Sequence, residues 1–322
     1  MINTFALRQG RLIQVNTEHS PNDFDLEDVL WIDMIDPSDE ERQWVQTVFQ
    51  TELPEDEELK DIEESARCYE DENGLHLNSF FLHDPEEMAQ NMTVSFTLHQ
   101  GRLLTMHEQD LAVFRLFRRR ARVWVDLVED PLDIVLGLYE LAVEHDADVL
   151  ESIYVKLDDI SQQVLMNKGE MADEDMADVL RRIAIHEDIN GKARLDLMDS
   201  RRALSFLLRH RYLSAEQRND LKEILRDIES LNGHTAFLFE KINFLMDAMM
   251  GLINLAQNKT IKIFSIAAVV FLPPTLVAST YGMNFDIMPE LHWDFGYPIA
   301  ILLMLISGLA PYLYFKSKGW LK

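Results

Sequence analysis

The stretch "IFSIAAVVFLPPTLVASTYGMNF", residues 263–285, decides how this chain is organised. Residues 263–281 carry no charge, and a helix needs about 20 mostly apolar residues to cross the hydrocarbon core of a bilayer. A second uncharged run, "YPIAILLMLISGLAPYLYF" at residues 297–315, follows after a short acidic loop. Two such runs, separated by so short a loop, predict a membrane hairpin.

The charges around the two runs predict an orientation. Two lysines lie just before the first run and three follow the second, whereas the connecting loop, residues 282–296, contains neither Lys nor Arg. Because positively charged flanks stay in the cytoplasm, both termini are expected there and the loop outside. The first residues, "MINTFALRQGR", lack the apolar core of a cleavable signal peptide, which agrees with this expectation.

The overall charge separates the apolar end from the rest of the chain. The 322 residues carry a net charge of −26. Five lysines against three acids give residues 259–322 a charge of +2, which leaves −28 for residues 1–258. A domain with this much negative charge is not expected to bind nucleic acid. The charge is explained either by solubility alone or by a role in attracting cations. The single cysteine, Cys68, excludes an internal disulfide and a cysteine-based zinc cluster.

Residues 1–125 have the pattern of a mixed α/β domain. The segments "GLHLNSFFLHD" and "MTVSFTLHQGRLLTMHE" are apolar and rich in strand-forming residues, with turn signals at Asn73-Gly74 and Gln100-Gly101. Acid-rich helical stretches lie between them. The expected fold class is therefore an α+β domain, a mixed sheet with flanking helices, in the cytoplasm.

From residue 126 onward the pattern is helical. Residues 126–212 predict a long acidic helical hairpin, whose first helix is capped by Asp130 with Pro131 at its first position. Ser214 and Gln217 have the spacing of a capping box and start a stalk helix over residues 213–262. No proline interrupts that helix before Pro273, so it is expected to continue directly into the first membrane span, residues 263–281.

One face of this long helix carries a regular stripe. Seven positions separated by alternating steps of three and four residues form a seam, the spacing that faces a neighbouring helix in a parallel bundle. The seam residues are small, polar or aliphatic and none is charged: Asn258, Ile261, Ser265, Ala268, Leu272, Thr275 and Ser279. Large apolar residues such as Phe264, Val270, Phe271 and Val277 are expected opposite. Both a small-residue packing interface and the lining of a water-filled pore fit such a stripe.

The chemistry of the seam points to a hard cation if it is a pore. Amide and hydroxyl oxygens suit Mg²⁺, which gives up its water reluctantly and would pass still hydrated. Pro273 and Pro274 would free backbone carbonyls for such a cavity. At the end of the span, Gly282 permits a tight or left-handed turn that would direct Asn284 to the axis. Acids of the loop, Glu290 among them, would concentrate cations at this mouth.

Several motifs together resemble the CorA family of magnesium channels. They are "YGMNF" after the first span, the loop motifs "MPEL" and "WDFGYP", and the longer segments "LMDSRRALSFLLR" and "GLAPYLYFKSKGWL". The chain is similar over its whole length to the enterobacterial type of this family. The resemblance implies a funnel-shaped homopentamer in the bacterial inner membrane. It also implies passage of Mg²⁺, with Co²⁺ or Ni²⁺ as alternative ions.

The resemblance also implies roles for individual residues. Gly282, Met283 and Asn284 would form the selectivity ring at the outer mouth, Leu272 a hydrophobic constriction, and residues 297–315 an outer ring of helices. Cytoplasmic Mg²⁺ bound between subunits would hold the pore closed. Asp227 in "EILRDIESL" best matches the sensor carboxylate of the stalk. The loop "FLHDPEEM" offers its partner from the neighbouring subunit, as Asp84, Glu86 or Glu87.

Two other readings remain open from the sequence. One is a proton-coupled Zn²⁺ transporter of the same superfamily, although such relatives usually depart from the Gly-Met-Asn-Phe or Met-Pro-Glu-Leu motifs. The other is a membrane-anchored coiled-coil scaffold that conducts nothing. An enzyme is not expected: "HEDIN" at His186 lacks the second histidine of a zinc-protease helix, and no Gly-rich phosphate loop of the usual spacing occurs. Residues 316–322 are expected to be a basic cytoplasmic tail.

Overall fold

The structure, a computed structural model, describes residues 1–15, 28–54, 67–83, 89–166, 171–210, 213–284 and 288–319. The chain forms two compact units. The first comprises Met1–Met166 and Ala177–Met246, and the second Asn167–Met176 and Asp247–Lys322.

The first unit contains a seven-stranded mixed sheet. Its strands lie side by side in the order β2-β1-β3-β7-β6-β5-β4. Only β3 and β7 among these neighbours pair in parallel. The strands are β1 (Ile2–Arg8), β2 (Arg11–Val15), β3 (Val29–Ile35), β4 (Cys68–Asp71), β5 (Gly74–His83), β6 (Gln90–His99) and β7 (Arg102–His107). The expected mixed sheet is therefore confirmed.

The two turn signals fall where strands reverse. Asn73-Gly74 joins β4 to β5, and Gln100-Gly101 joins β6 to β7. Gln100 and Gly101 both have positive φ, at 48° and 74°, as the two-residue turn that suits the twist of a hairpin requires. These turns place the ends of four strands at one edge of the domain.

Helices cover both faces of the sheet. Successive residues of a strand point to opposite faces, so Trp31 of β3 packs on Phe114 and Ile32 joins the cluster that includes Phe49. Phe114 belongs to α2 (Ala112–Val123), and Phe49 ends α1 (Asp39–Phe49). Trp31 and Ile32 are both fully buried. The central strand thus anchors a helix on each side.

Two long helices follow, α3 (Pro131–Met166) and α4 (Asp173–Leu208). The α3 start has the predicted cap, because the Asp130 carboxylate accepts the amide of Leu132 at 2.7 Å. Arg182 bonds to Asp159 at 2.7 Å near the tip, and Asp196 interacts with Asp146 further along. The pairs show that the helices run antiparallel, as the sequence predicted.

The longest element is α5 (Ala215–Tyr281), a continuous helix of 67 residues. Its start has the predicted capping box: the Ser214 hydroxyl accepts the Gln217 amide at 3.1 Å, and the Gln217 side chain accepts the Ser214 amide at 3.0 Å. Within the first unit α5 runs alongside α3, where Phe237 stacks on Tyr154 with ring centroids 5.7 Å apart. At 1.5 Å per residue the helix is about 100 Å long.

The second unit holds the apolar end of α5 and helix α6 (Gly296–Ser317), with a short 3-10 helix (Pro289–His292) between them. Both α5 and α6 are long and apolar enough to cross a membrane. Pro273 and Pro274 lie inside α5 without ending it. The predicted helical hairpin, long helix and two apolar C-terminal helices are therefore all present.

Candidate ion pathway

The apolar part of α5 has one face that packs within its own chain. Ile266, Val270, Pro274, Val277 and Tyr281 are half-buried and recur at helical spacing. Gly308 of α6 approaches this face so closely that a Cβ atom there would lie 3.1 Å from Cγ of Pro274. This face is the contact between the two helices, and the glycine makes the close approach possible.

The predicted seam lies on the other side of α5. All seven seam residues are exposed, with Leu272 at 65% and Ile261 at 54%. At about 100° per residue, the mean direction of the seam is roughly 180° from that of the packed face. The chain's own second apolar helix therefore leaves the whole uncharged stripe uncovered.

The expected position of the large apolar residues needs correction. Val270 and Val277 do lie opposite the seam, but they pack on α6. Phe264 and Phe271, exposed at 71% and 70%, lie beside the seam rather than opposite it, because they are only one position away from Ser265 and Leu272. The residues opposite the seam are thus medium-sized ones that fit against a helix, and the large aromatic rings flank it.

The seam offers hydrogen-bond acceptors. The Thr275 hydroxyl donates to the carbonyl of Phe271 at 2.8 Å. Its proton is thereby engaged, and the oxygen keeps lone pairs for a donor such as a water molecule held by a cation. Local hydrogen bonding therefore presents Thr275 as an acceptor.

One of the two prolines, Pro274, acts differently from the expectation. Since Pro274 has no N–H, the carbonyl of Val270 loses its usual helical partner. That carbonyl lies 3.6 Å from the Cβ position at Gly308, which places it on the α6 side. The freed group of Val270 therefore does not serve the seam.

The end of α5 brings the Gly-Met-Asn motif to the end of the seam. The Gly282 amide donates to the carbonyl of Ala278 at 2.9 Å, so the helical bonding continues one residue beyond Tyr281. Positive φ among the described glycines occurs at Gly10, Gly74, Gly101 and Gly319. Of the two geometries that the sequence allowed at Gly282, the left-handed one is therefore absent and the turn is present. Met283 and Asn284 are exposed. Glu290 belongs to the short 3-10 helix, and its side chain lies outside the described part.

The acids expected to sense Mg²⁺ are only partly described. Asp227 is exposed on α5, whereas Asp84, Glu86 and Glu87 lie outside the described residues. Within the described ranges no three His, Cys, Asp or Glu side chains converge as metal ligands. Burial raises the pKa of Glu140 on α3, and the negative charges of Glu144, Asp220 and Asp227 raise it further. Asp227 thus belongs to an acidic surface between α3 and α5, which fits a cation better than an anion.

Three aspartates of the helical hairpin are buried together, and this group was not predicted from the sequence. Asp146, Asp196 and Asp199 are at most 7% exposed. Asp199 forms an ion pair with Arg67, and Asp196 accepts the Leu82 amide at 2.7 Å. Oxygen Oδ1 of Asp146 has no hydrogen-bond partner. Because the hairpin contains many solvent-exposed Asp and Glu residues, its composition does not reveal which aspartates are buried. Only the spacing of Asp196 and Asp199, three residues apart, matches one face of a helix.

These elements define a class of protein. A sheet domain with a helical hairpin is followed by one very long helix that ends in an apolar segment, and a second apolar helix packs on that segment. This is a membrane protein with two candidate spans and a large domain before them. Its uncharged seam lies on the helix face that the second span leaves open.

The chain belongs to the CorA family. The sequence pattern of the family described as "CorA-like Mg2+ transporter protein" matches residues 27–317. The magnesium transport proteins CorA of Salmonella typhimurium and of Escherichia coli strain K12 are each 49% identical over 322 residues, which is 100% of both chains. The complete structure of the CorA magnesium transporter from Methanocaldococcus jannaschii covers 100% of this chain and 99% of its own, with a TM-score of 0.75 at 19% identity. The resemblance seen in the motifs is thus confirmed, and the family consists of transporters.

Proposed function

We propose that this chain is the subunit of a Mg²⁺ influx channel in the bacterial inner membrane, with both termini cytoplasmic. The observation that carries the proposal is the uncovered, uncharged seam on α5, which runs toward the Gly-Met-Asn motif. In a homopentamer the five seams would face one axis and line a pore. Residues 263–281 would then be the lining span, residues 282–296 the outer loop and residues 297–315 the outer helix. Family membership, with 49% identity to magnesium transport proteins, supports the choice of ion.

Selection would depend on neutral oxygens at the outer mouth. Gly282, Met283 and Asn284 of five subunits would form a ring that contacts the water shell of the ion. Mg²⁺ holds its waters tightly, and those waters donate hydrogen bonds, so amide and hydroxyl acceptors suit it. Uncharged rings let the ion leave again, as conduction requires. Co²⁺ and Ni²⁺ are alternative ions for the same chemistry, and Glu290 would help to collect them.

The gate would be hydrophobic and would be controlled from the cytoplasm. Leu272 would form the narrow ring that closes by excluding water. Below it, Asn258, Ile261, Ser265 and Ala268 would line the inner part of the pore. Mg²⁺ bound between subunits, by Asp227 and an acid from residues 84–87, would hold the closed arrangement. Loss of that ion would leave carboxylates facing each other, and their repulsion would favour opening.

The driving force needs no nucleotide. An inside-negative potential favours entry of a divalent cation by about 4.6 kcal/mol per 100 mV, twice the value for a single charge. Passive flow through a pore is therefore sufficient for uptake.

The test is ion flux into liposomes that contain the purified protein. We expect Mg²⁺ uptake that follows the membrane potential, and we expect Asn284→Ala to reduce the selectivity for Mg²⁺ while the protein still assembles. A Zn²⁺ flux that requires a proton gradient would instead indicate the coupled transporter. No flux of any divalent ion, and no effect of Asn284→Ala, would indicate a scaffold.

A further inference from the structure

Four lysines cluster at one end of the pair of apolar helices in the second unit. Lys259 and Lys262 precede the apolar part of α5, and Lys316 and Lys318 follow that of α6. All four are exposed, and in the part of the chain that the structure describes none of them forms an ion pair. The preceding acid along α5, Asp247, is about 18 Å from Lys259 along the helix axis. The cluster is therefore a group of uncompensated positive charges.

Lys318 projects from the face of α6 that packs on α5. The buried or half-buried residues of α6 recur at helical spacing: Ala300, Met304, Ser307, Gly308, Pro311 and Phe315. Lys318 follows Phe315 by three residues, and its amide donates to the Tyr314 carbonyl at 3.1 Å, so the helical direction still applies to it. At about 100° per residue, Lys316 points roughly 130° away from the mean direction of this face. Only Lys318 of the two therefore faces α5.

Lys259 projects from the corresponding face of α5. The packed face of α5 begins at Ile266, and Lys259 lies about two helical turns before it, on the same side. Lys262 lies on the flank of that face. The groove between the two helices thus ends in lysines that come from both of them.

The lysines of the two helices are also at similar heights. Gly308 packs against residues 270–274, and the short loop between α5 and α6 makes the helices antiparallel. Lys318 is ten residues beyond Gly308, which brings it level with about residue 262 of α5. Lys259 is one turn, roughly 5 Å, further along the axis. Flexible side chains at these distances can all reach one phosphate group.

The position of the lysines points to a lipid as the occupant. Ile263, the first residue of the uncharged span, follows Lys262 directly and is 60% exposed. Lysines at such a boundary extend along apolar surface and place their charge among the head groups, while acyl chains contact the apolar residues beyond. We propose that Lys259, Lys262 and Lys318 bind the head-group phosphate of an anionic phospholipid at the end of the groove between α5 and α6. The proposal requires that both helices span a bilayer, and it does not require that the chain conducts ions.

The charge of the remaining chain makes this site distinguishable from a general attraction. With a net charge of −26 the protein as a whole repels anionic lipids, so a preference for them must arise locally. The acids Glu174 and Asp175 belong to the same unit, but among the described side chains neither forms an ion pair with a lysine. A lipid phosphate is therefore the partner that the lysines lack within the chain.

The experiment titrates the delipidated full-length protein in detergent with phosphatidylglycerol, or with phosphatidylcholine that has the same acyl chains. Native mass spectrometry counts the bound lipids. We expect the first lipid of each subunit to bind at least about 10-fold more tightly as phosphatidylglycerol, since each lysine near a head group contributes about fivefold. Inorganic phosphate at the same concentration should not displace it, because phosphate lacks the acyl chains. Equal binding of the two lipids, or displacement by phosphate, would overturn the proposal.

Two lysines of the same helix provide matched variants. Lys318→Gln and Lys316→Gln remove the same charge at positions two residues apart, but only Lys318 faces the groove. Lys318→Gln should reduce the preference for phosphatidylglycerol about fivefold, and Lys318→Arg should keep it. Lys316→Gln should leave the preference within about twofold of the wild-type value. Equal losses in the two glutamine variants would mean that the lipid responds to diffuse charge, and the proposed site would be wrong.

Discussion

Two threonines of α5 form the same hydrogen bond but lie on different faces. Thr275 donates to the Phe271 carbonyl and Thr280 to the Leu276 carbonyl, each at 2.8 Å. Only Thr275 is on the seam. Thr275→Val removes one acceptor from the proposed pore and should lower Mg²⁺ flux about 2- to 10-fold, as expected for a hydrogen bond of about 0.5–1.5 kcal/mol.

The matched control is Thr280→Val, which loses the same local bond in the same helix. We expect it to conduct like the wild-type protein in the same liposome assay. Equal losses in the two variants would mean that the threonines matter for the helix and not for the ion. That result would remove Thr275 from the pathway.

The buried aspartates should make the first unit sensitive to pH. Burial, together with repulsion from Asp199, raises the pKa of Asp196 to about 8, and burial beside Asp196 raises the pKa of Asp146. Between about pH 4 and pH 8 the folded protein therefore keeps protons that the unfolded chain releases. Stability falls as pH rises through this window, by up to about 1.4 kcal/mol per pH unit for each proton.

Asp146→Asn removes the carboxyl group that holds one of these protons, together with the repulsion that Asp196 exerts on it. The variant should gain melting temperature relative to the wild-type protein, and the gain should increase from pH 5 to pH 8. Asp188→Asn, at an exposed aspartate that pairs with Lys192 at 2.7 Å, is the control and should show no such trend. If the difference in melting temperature between Asp146→Asn and the wild-type protein did not change with pH, the raised pKa of Asp146 would be contradicted.

The contact between α5 and α6 depends on the absence of a side chain at Gly308. A Cβ there would lie 3.1 Å from a rigid proline ring and 3.6 Å from the Val270 carbonyl, so a larger residue must push the helices apart. Gly308→Leu should lower the melting temperature in detergent by several degrees and reduce flux.

Gly191 in α4 provides the comparison, because a Cβ there meets nothing within 4 Å. Gly191→Leu should instead raise stability by about 0.5–1 kcal/mol, since glycine is a poor helix former. If Gly308→Leu changed neither the melting temperature nor the flux, the packing of α6 would not depend on its close approach to Pro274.

The helices could be predicted from the sequence because their signals are local. Two short motifs mark the starts of helices, Asp130-Pro131 and the capping box of Ser214 and Gln217. In each motif the interacting residues are at most three positions apart in the sequence. The spacing of the seam residues could also be recognised from the sequence alone. The parallel pairing of β3 with β7 was not, since it joins residues about 70 positions apart. For the same reason nothing marked Asp146 as buried, because its burial depends on contacts with α4 that only the folded chain creates.

The charge of the whole chain has a consequence for the proposed gate. With a net charge of −26, any Mg²⁺ will gather near the protein, and general screening alone could protect it against protease. A specific sensor must therefore be distinguished from this diffuse attraction. Asp227 and Glu240 are both exposed acids on α5, and replacing either with lysine changes the net charge by the same amount.

Asp227→Lys should require several-fold more Mg²⁺ for protection of the full-length protein against limited proteolysis, because it removes one proposed ligand and adds a repelling charge. Glu240→Lys should follow the wild-type curve, apart from the small change that both variants share through general screening. If the two curves shift equally, protection comes from counterions around an acidic surface, and Asp227 is not a sensor. If only the Asp227→Lys curve shifts, a cation is bound at a defined place on the first unit, as regulation by cytoplasmic Mg²⁺ requires.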